Sequence, residues 1–118
     1  MGQVNLEIEI ASAARPDVFE RLDFLIDSGA HYSVAPRDVL ERLGIPPLTV
    51  DRFRLVTGQA IERHIGAAVF RYQGRVGAAT VVFGEPGDMT LLGAQTLEAL
   101  HFGLNPINHE LIELPMLL

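Results

Sequence analysis

The apolar run Phe24-Leu25-Ile26 is driven straight into Asp27-Ser28-Gly29-Ala30. A strand that ends this way carries a carboxylate into apolar surroundings, which is costly unless the group is hydrogen-bonded or put to use. Asp, Ser and Gly are also ordinary turn residues, and glycine tolerates positive φ. The segment therefore reads either as a strand followed by a turn or as a strand that presents an acid for chemistry, and the rest of the chain has to separate the two.

Further along, Thr90-Leu91-Leu92-Gly93 repeats the pattern of an apolar strand running into glycine, and Ala94-Gln95-Thr96-Leu97-Glu98-Ala99-Leu100 reads as a short helix behind it. Between the two lies Leu55-Val56-Thr57-Gly58-Gln59-Ala60-Ile61, two apolar arms around a glycine turn, which predicts a hairpin. Val4, Leu6, Ile8 and Ile10 alternate with polar residues, the period of a half-buried strand. Residues 18–26 make a second strand after a turn at Arg15-Pro16-Asp17, so the two read as a hairpin that delivers Asp27 to its end.

Pro36, Asp38, Val39, Leu40, Leu43 and Gly44 carry the start, apolar face and stop of one short helix, and Pro46-Pro47 forces an extended exit. From Phe53 to Phe83 the residues favour strands, with turns at Thr57-Gly58 and Gln73-Gly74. Gly66, Ala67, Ala68, Gly77, Ala78 and Ala79 weaken strand preference there but allow close approach of backbone layers. Gly84-Glu85-Pro86-Gly87-Asp88 reads as a surface loop, and Leu111-Ile112-Glu113-Leu114 as a last strand before an apolar tail, Met116-Leu117-Leu118.

With Asp27-Ser28-Gly29-Ala30 in the first third, the Leu55–Ile61 hairpin in the middle and Leu91-Leu92-Gly93 near the end, the chain resembles the retropepsin-like (retroviral-type) aspartic proteases from roughly Leu22 to Leu114. The resemblance implies an all-β fold, a closed barrel-like domain with a flap hairpin and one or two short helices, spanning 1–118 as a single domain. It implies an aspartic endopeptidase that works as a homodimer on peptide or protein substrates, without cofactor. Asp27 would be catalytic, and Ser28, Gly29 and Ala30 would support its loop, Ser28 by a hydrogen bond across the dimer and Gly29 by offering backbone groups to substrate. Thr57, Gly58 and Gln59 would form the flap tip, Gly93 would pack behind the active-site loop, and the apolar terminus would join the dimer interface. The viral enzymes commonly carry an acid just after the Ala30 position and an arginine just after the Gly93 position, paired with each other. Here these are His31 and Ala94, so both partners are replaced together and no lone charge is stranded.

The dimer follows from the chemistry as well. Hydrolysing an amide without metal or covalent nucleophile needs a water held between a proton acceptor and a proton donor, and two carboxylates sharing one proton meet that need, for which aspartic proteases are the standard example. Two carboxylates about 3 Å apart at an effective dielectric near 20 repel by roughly 5 kcal/mol, separating their titrations by about four pKa units. Only one Asp-Ser-Gly occurs in the chain, so the partner would be Asp27 of a second copy related by a two-fold axis. Asp17, Asp23, Asp38, Asp51 and Asp88 sit in turns, beside arginines or at a helix start, where solvated or capping roles suffice.

Other classes fit poorly. The 118 residues carry a net charge of −6, and the nine basic residues, all arginine, are scattered, which argues against nucleic acid as a partner. There is no cysteine, which excludes disulfides and thiolate chemistry. His31, His64, His101 and His109 have no metal-ligand spacing, so no metal is expected. Ser12, Ser28 and Ser33 lack a nucleophile-elbow sequence. Met1-Gly2-Gln3-Val4-Asn5-Leu6 opens as a strand pattern rather than a signal peptide or a myristoylation motif, giving the expectation of a cytoplasmic protein with no membrane partner. The alternative is a catalytically silent module that keeps the fold for dimerisation or peptide binding. His31 and Ala94 favour it, and the intact Asp27-Ser28-Gly29 weighs against it.

Overall fold

The computed structural model describes residues 4–117, so Met1-Gly2-Gln3 of the first strand pattern and Leu118 of the tail lie outside the described residues. Nine strands and two short helices follow in chain order. They are β1 (Asn5–Ser12), β2 (Arg15–Ile26), β3 (Ser33–Pro36), α1 (Arg37–Arg42), β4 (Thr49–Arg54), β5 (Ala60–Tyr72), β6 (Arg75–Gly84), β7 (Leu91–Leu92), α2 (Ala94–Ala99), β8 (Phe102–Leu104) and β9 (Leu111–Glu113).

Seven strands form one sheet in the order β1-β2-β7-β3-β6-β5-β4, and a further pairing of β1 with β5 closes it on itself. The closure runs antiparallel through Glu9↔Arg71, Ile10↔Phe70 and Ala11↔Val69. β5 serves three partners because it is long: its second half is barrel wall, pairing with β6 and β1, while its first half leaves the wall and pairs with β4. The β4–β5 hairpin is thus an arm standing off a closed barrel, and the closure removes the sheet edges that an open sheet would expose.

Alternation fills the interior. Ile8 and Ile10 of β1, Phe24 and Ile26 of β2, Phe70 of β5, Val81 and Phe83 of β6 and Leu92 of β7 are buried together, with Phe24 and Phe70 edge to face at 6.1 Å. α1 adds Val39 and Leu40, and α2 adds Leu97 with Leu100 just beyond it. A Cβ on Gly77 would stand 2.5 Å from the Ala99 carbonyl oxygen, and one on Gly66 would stand 2.8 Å from that of Pro46. These two glycines let α2 and the Pro46 segment lie directly on the strands, the close approach the small residues imply.

Three local readings change. The turn between β1 and β2 is at Ala13-Ala14, where the Ser12 hydroxyl accepts from Ala14 N at 3.2 Å, and Arg15-Pro16-Asp17 belongs to β2. The register passes from Ala11↔Phe19 to Ser12↔Arg15, so Pro16 lies in a bulge where no ladder donor is needed, which is how a proline is tolerated in a strand. Gly84 is the buried last residue of β6, paired with Pro36, and the loop starts at Glu85. The short strands β3 and β8 lack a sequence pattern of their own; β3 is set by its neighbours β6 and β7. Among the described residues no helix is long and apolar enough to cross a membrane.

Candidate active site

Asp27 leaves the end of β2 where that strand runs parallel to β7, in the register Leu25↔Leu91 and Ile26↔Leu92. Its backbone is held on both sides of the chain: Asp27 N donates to Leu92 O at 3.0 Å, and Asp27 O accepts from Ala30 N at 3.1 Å. Its side chain is half-buried, and Oδ1 accepts from Gly29 N at 3.0 Å, while Ser28 and Gly29 are exposed. A Cβ on Gly29 would crowd that same Oδ1 at 3.2 Å, so the glycine keeps its N–H close to the carboxylate. A hydrogen bond to one oxygen fixes the carboxyl plane and leaves the other free to face a cleft.

Gly93 sits directly behind this loop. A Cβ there would lie 2.6 Å from the Tyr32 carbonyl carbon and oxygen and 2.9 Å from Ala30 O, so no side chain fits. The contact lets the first turn of α2 spend its unpaired donors on the loop: Ala94 N donates to Ala30 O at 2.8 Å and Gln95 N to His31 O at 3.0 Å. Helix-terminal N–H groups otherwise need water or a capping side chain. At His31 and Ala94 the two segments are therefore joined through the backbone, and the His31 ring is left to lie on Tyr32, 4.8 Å between centroids.

Beneath the loop, Ser33 of β3 and Thr96 of α2 are both fully buried and share a hydroxyl–hydroxyl hydrogen bond. Gly93 N donates to the same Ser33 Oγ at 3.0 Å. The Gln95 side chain ties the start of α2 to β6, accepting from Thr80 N at 2.8 Å. The sequence offers Ser33 only as a hydroxyl without a nucleophile elbow and gives Thr96 and Gln95 no role of this kind. The available signal was a lone hydroxyl in each of two apolar settings, which marks a buried polar group needing a partner but does not name it.

The β4–β5 hairpin carries Thr57, Gly58 and Gln59 at its tip. Gly58 has φ +90°, Leu55 N donates to Gln59 O at 2.8 Å and Gly58 N to Leu55 O at 2.9 Å. Arg54 also reaches across the turn to Gly58 O at 3.2 Å. Leu55 and Val56 are exposed, an apolar tip that nothing among the described residues covers. Close to the tip turn, Phe53, paired with Ile61, meets Tyr32 edge-on at 6.2 Å, so the hairpin is in contact with the segment that follows the Asp27 loop. Its other arm is clasped to the β6–β7 loop: Arg63 of β5 makes two hydrogen bonds to the Asp88 carboxylate, at 2.7 and 3.0 Å, and the Arg63 guanidinium holds that carboxyl below its ordinary range.

The structure thus brings Asp27, Ser28, Gly29, Ala30 and Gly93 to one place and sets the Thr57–Gln59 tip on an arm anchored beside them. Ser28 points to the outside of this group, where it lines a groove with Leu97, Phe102 and Leu104. Among the described residues no three His, Cys, Asp or Glu side chains cluster as a metal site would require.

No curated protein matches the chain. A family model described as aspartyl protease matches residues 17–96, which include the Asp27 loop, the hairpin and Gly93. Among solved structures, the solution structure of the simian foamy virus (mac) protease is similar, with 25% identity and a TM-score of 0.55 over 80% of this chain and 92% of that one. With the closed all-β barrel and the Asp-Ser-Gly loop at its strand ends, these matches identify an aspartic-type endopeptidase of retropepsin-like fold: the chain belongs to the aspartyl protease family.

Proposed function

We propose that the active enzyme is a homodimer in which Asp27 of each copy contributes one carboxylate to a shared site that hydrolyses peptide bonds. The observation that carries this reading is the setting of Asp27. It is a half-buried acid at the end of a core strand, with one oxygen tied to Gly29 N and the backbone tied to Leu92, in a chain with a single such loop. A second copy related by two-fold symmetry supplies the missing carboxylate from the same surface.

In such a pair one carboxylate is ionised and one protonated, because two like charges in contact resist ionising together. The ionised member takes a proton from the bound water as its oxygen bonds to the peptide carbonyl carbon, and the protonated member gives its proton to the carbonyl oxygen. Collapse of the resulting diol breaks the C–N bond as a proton passes to the leaving amine. Gly29 N–H holds the carboxyl orientation, and the brace of Gly93, Ser33 and Thr96 holds the loop. The hairpin tip, with exposed Leu55 and Val56, acts as a flap that covers bound peptide and excludes water.

Replacing Asp27 by Asn keeps the size and the acceptor for Gly29 N but removes the ionisable group. Turnover of a peptide library at mildly acidic pH is expected to disappear, with folding and association unchanged. Cleavage by Asp27→Asn at the parent rate would overturn the mechanism.

A further inference from the structure

β5 leaves the barrel wall at one point. Ile65 is its first residue paired with β6, opposite Val82, and from His64 back to Ala60 it pairs with β4 alone. His64 and Arg63 are therefore the root of the free-standing arm, and each is held by a side chain of the barrel body. Arg63 is clasped to Asp88. His64 is held by Arg37 at the start of α1, whose Nη2 lies 2.9 Å from His64 Nδ1. Arg37 is itself fixed: its Nε and Nη2 both reach Glu85 Oε2 at 2.8 Å, Glu41 Oε2 is 3.8 Å from its Nη1, and its guanidinium carbon stands 5.4 Å from the centre of the buried Phe83 ring.

The contact between Arg37 and His64 allows one arrangement of protons. A guanidinium carries donors and no acceptor, so Nδ1 accepts, and the ring is neutral with its hydrogen on Nε2. Protonating the ring puts an N–H on Nδ1 where an acceptor is required, and sets two cations in contact. Imidazole is the side chain whose charge ordinarily changes between about pH 5 and 8. The charged groups around His64 are engaged elsewhere: Glu41 of α1 and Glu85 of the β6–β7 loop face Arg37, and Asp88 of that loop faces Arg63. On β4, the residue opposite His64 is the apolar Val50, and Asp51 beside it is opposite Arg63. Among the described residues no carboxylate lies within ion-pair distance of the His64 ring.

We propose that His64 is a positioning residue for the hairpin arm: with its ring neutral it latches the root of the arm to α1 through Arg37, and with its ring protonated it releases it. This rests on the reading of the hairpin as a flap over an Asp27 pair. Such a pair needs one carboxyl protonated, so the latch opens on the acid side, where the pair becomes competent. Asp88, held by Arg63 below the ordinary carboxylate range, keeps its clasp through the same interval. The arm then pivots at Arg63 rather than detaching, and substrate enters a cleft whose cover has been loosened at one of two adjacent points.

The chain has no cysteine, so spin labels on Val56→Cys at the tip and Val76→Cys on β6, both exposed, report how far the arm stands from the barrel. The doubly labelled chain is diluted into unlabelled protein so that distances within one copy are read. The longer-distance population is expected to rise about fivefold between about pH 7.5 and about pH 5.5. His64→Asn puts an amide oxygen in the place of Nδ1 and does not titrate, and His64→Leu offers neither acceptor nor charge. Both are expected to lose the pH dependence, the Asn variant staying near the neutral-pH distribution of the parent and the Leu variant near the acidic one. Should the Leu variant fail to fold, the Asn variant alone decides. Nitrogen NMR of the parent ring at neutral pH is expected to show hydrogen on Nε2 only. A parent distribution that is the same at both pH values, an Asn variant that follows the parent's pH dependence, or hydrogen on Nδ1 at neutral pH overturns the latch. None of these results touches the Asp27 reading, which stands or falls on turnover by Asp27→Asn.

Discussion

Ser33 and Thr96 lie 63 residues apart in the chain and meet in a buried hydroxyl–hydroxyl hydrogen bond directly under the Asp27 loop. Because Ser33 Oγ also accepts from Gly93 N, the pair links β3, the Gly93 turn and α2. Three elements that carry the Asp27 loop on their ends are thereby fixed to one another. Thr96→Val keeps the volume and removes the hydroxyl, stranding a buried donor or acceptor on Ser33, which costs about 1–3 kcal/mol. Urea unfolding is expected to report that loss, and kcat is expected to fall with it because the carboxylate is less well held. Thr96→Ser, which keeps the hydroxyl, is expected to retain most of the turnover; a Ser variant as impaired as Val would mean that the hydroxyl alone does not account for the loss.

The hairpin tip separates backbone conformation from packing. Gly58 has φ +90°, yet a Cβ there would meet nothing within 4 Å. Gly58→Ala therefore costs conformational strain alone, about 1 kcal/mol or somewhat more. If the tip must keep its shape to close over substrate, kcat/KM falls by roughly tenfold, the factor that 1.4 kcal/mol represents. Thermal unfolding of the barrel is expected to shift little. An unchanged kcat/KM would remove the tip from the catalytic cycle.

The Arg63–Asp88 clasp gives the fold a defined acid limb. Arg63, by hydrogen bonds and charge, holds the Asp88 carboxyl below its ordinary value of 3.8, with Glu85 N–H adding to the effect against the opposing cost of burial. A carboxylate with a depressed folded-state value stabilises the fold above its unfolded value and loses that contribution as pH falls through the folded one. Asp88→Asn is expected to be less stable than the parent by roughly 1 kcal/mol at neutral pH, the gap holding down to about pH 4 and closing below it. Denaturant midpoints measured from pH 7 to pH 2 check this. A gap that stays constant to the lowest pH would mean that Asp88 is not ionised in the clasp.

The order of these elements was legible in the sequence because period-2 alternation and glycine turns are local signals. Ile8 and Ile10, the Gln73-Gly74 turn, and the Leu92-Gly93 junction into α2 all follow from residues next to one another. The turn at Ala13-Ala14 was not legible, because Pro16 carries a turn signal and is tolerated instead in a bulge of β2. The candidate site was legible at Asp27-Ser28-Gly29 and at Gly93, where an apolar run ends in glycine. It was illegible in those that brace it, since the Ser33–Thr96 and Arg63–Asp88 contacts join residues far apart in the chain that only the assembled sheet brings together. Strand closure between β1 and β5 is likewise a property of the whole sheet and leaves no mark at Ile10 or Phe70 beyond their being apolar.

The central claim is that one active site takes an Asp27 from each of two chains, and mixing parent with Asp27→Asn at fixed total concentration tests it most directly. After the copies have re-equilibrated, only parent–parent pairs hold two ionisable carboxylates. Activity is then expected to follow the square of the parent fraction, so that an equal mixture retains about one quarter. A strictly linear decline, with about one half remaining in the equal mixture, would mean that a single chain suffices and would contradict the account.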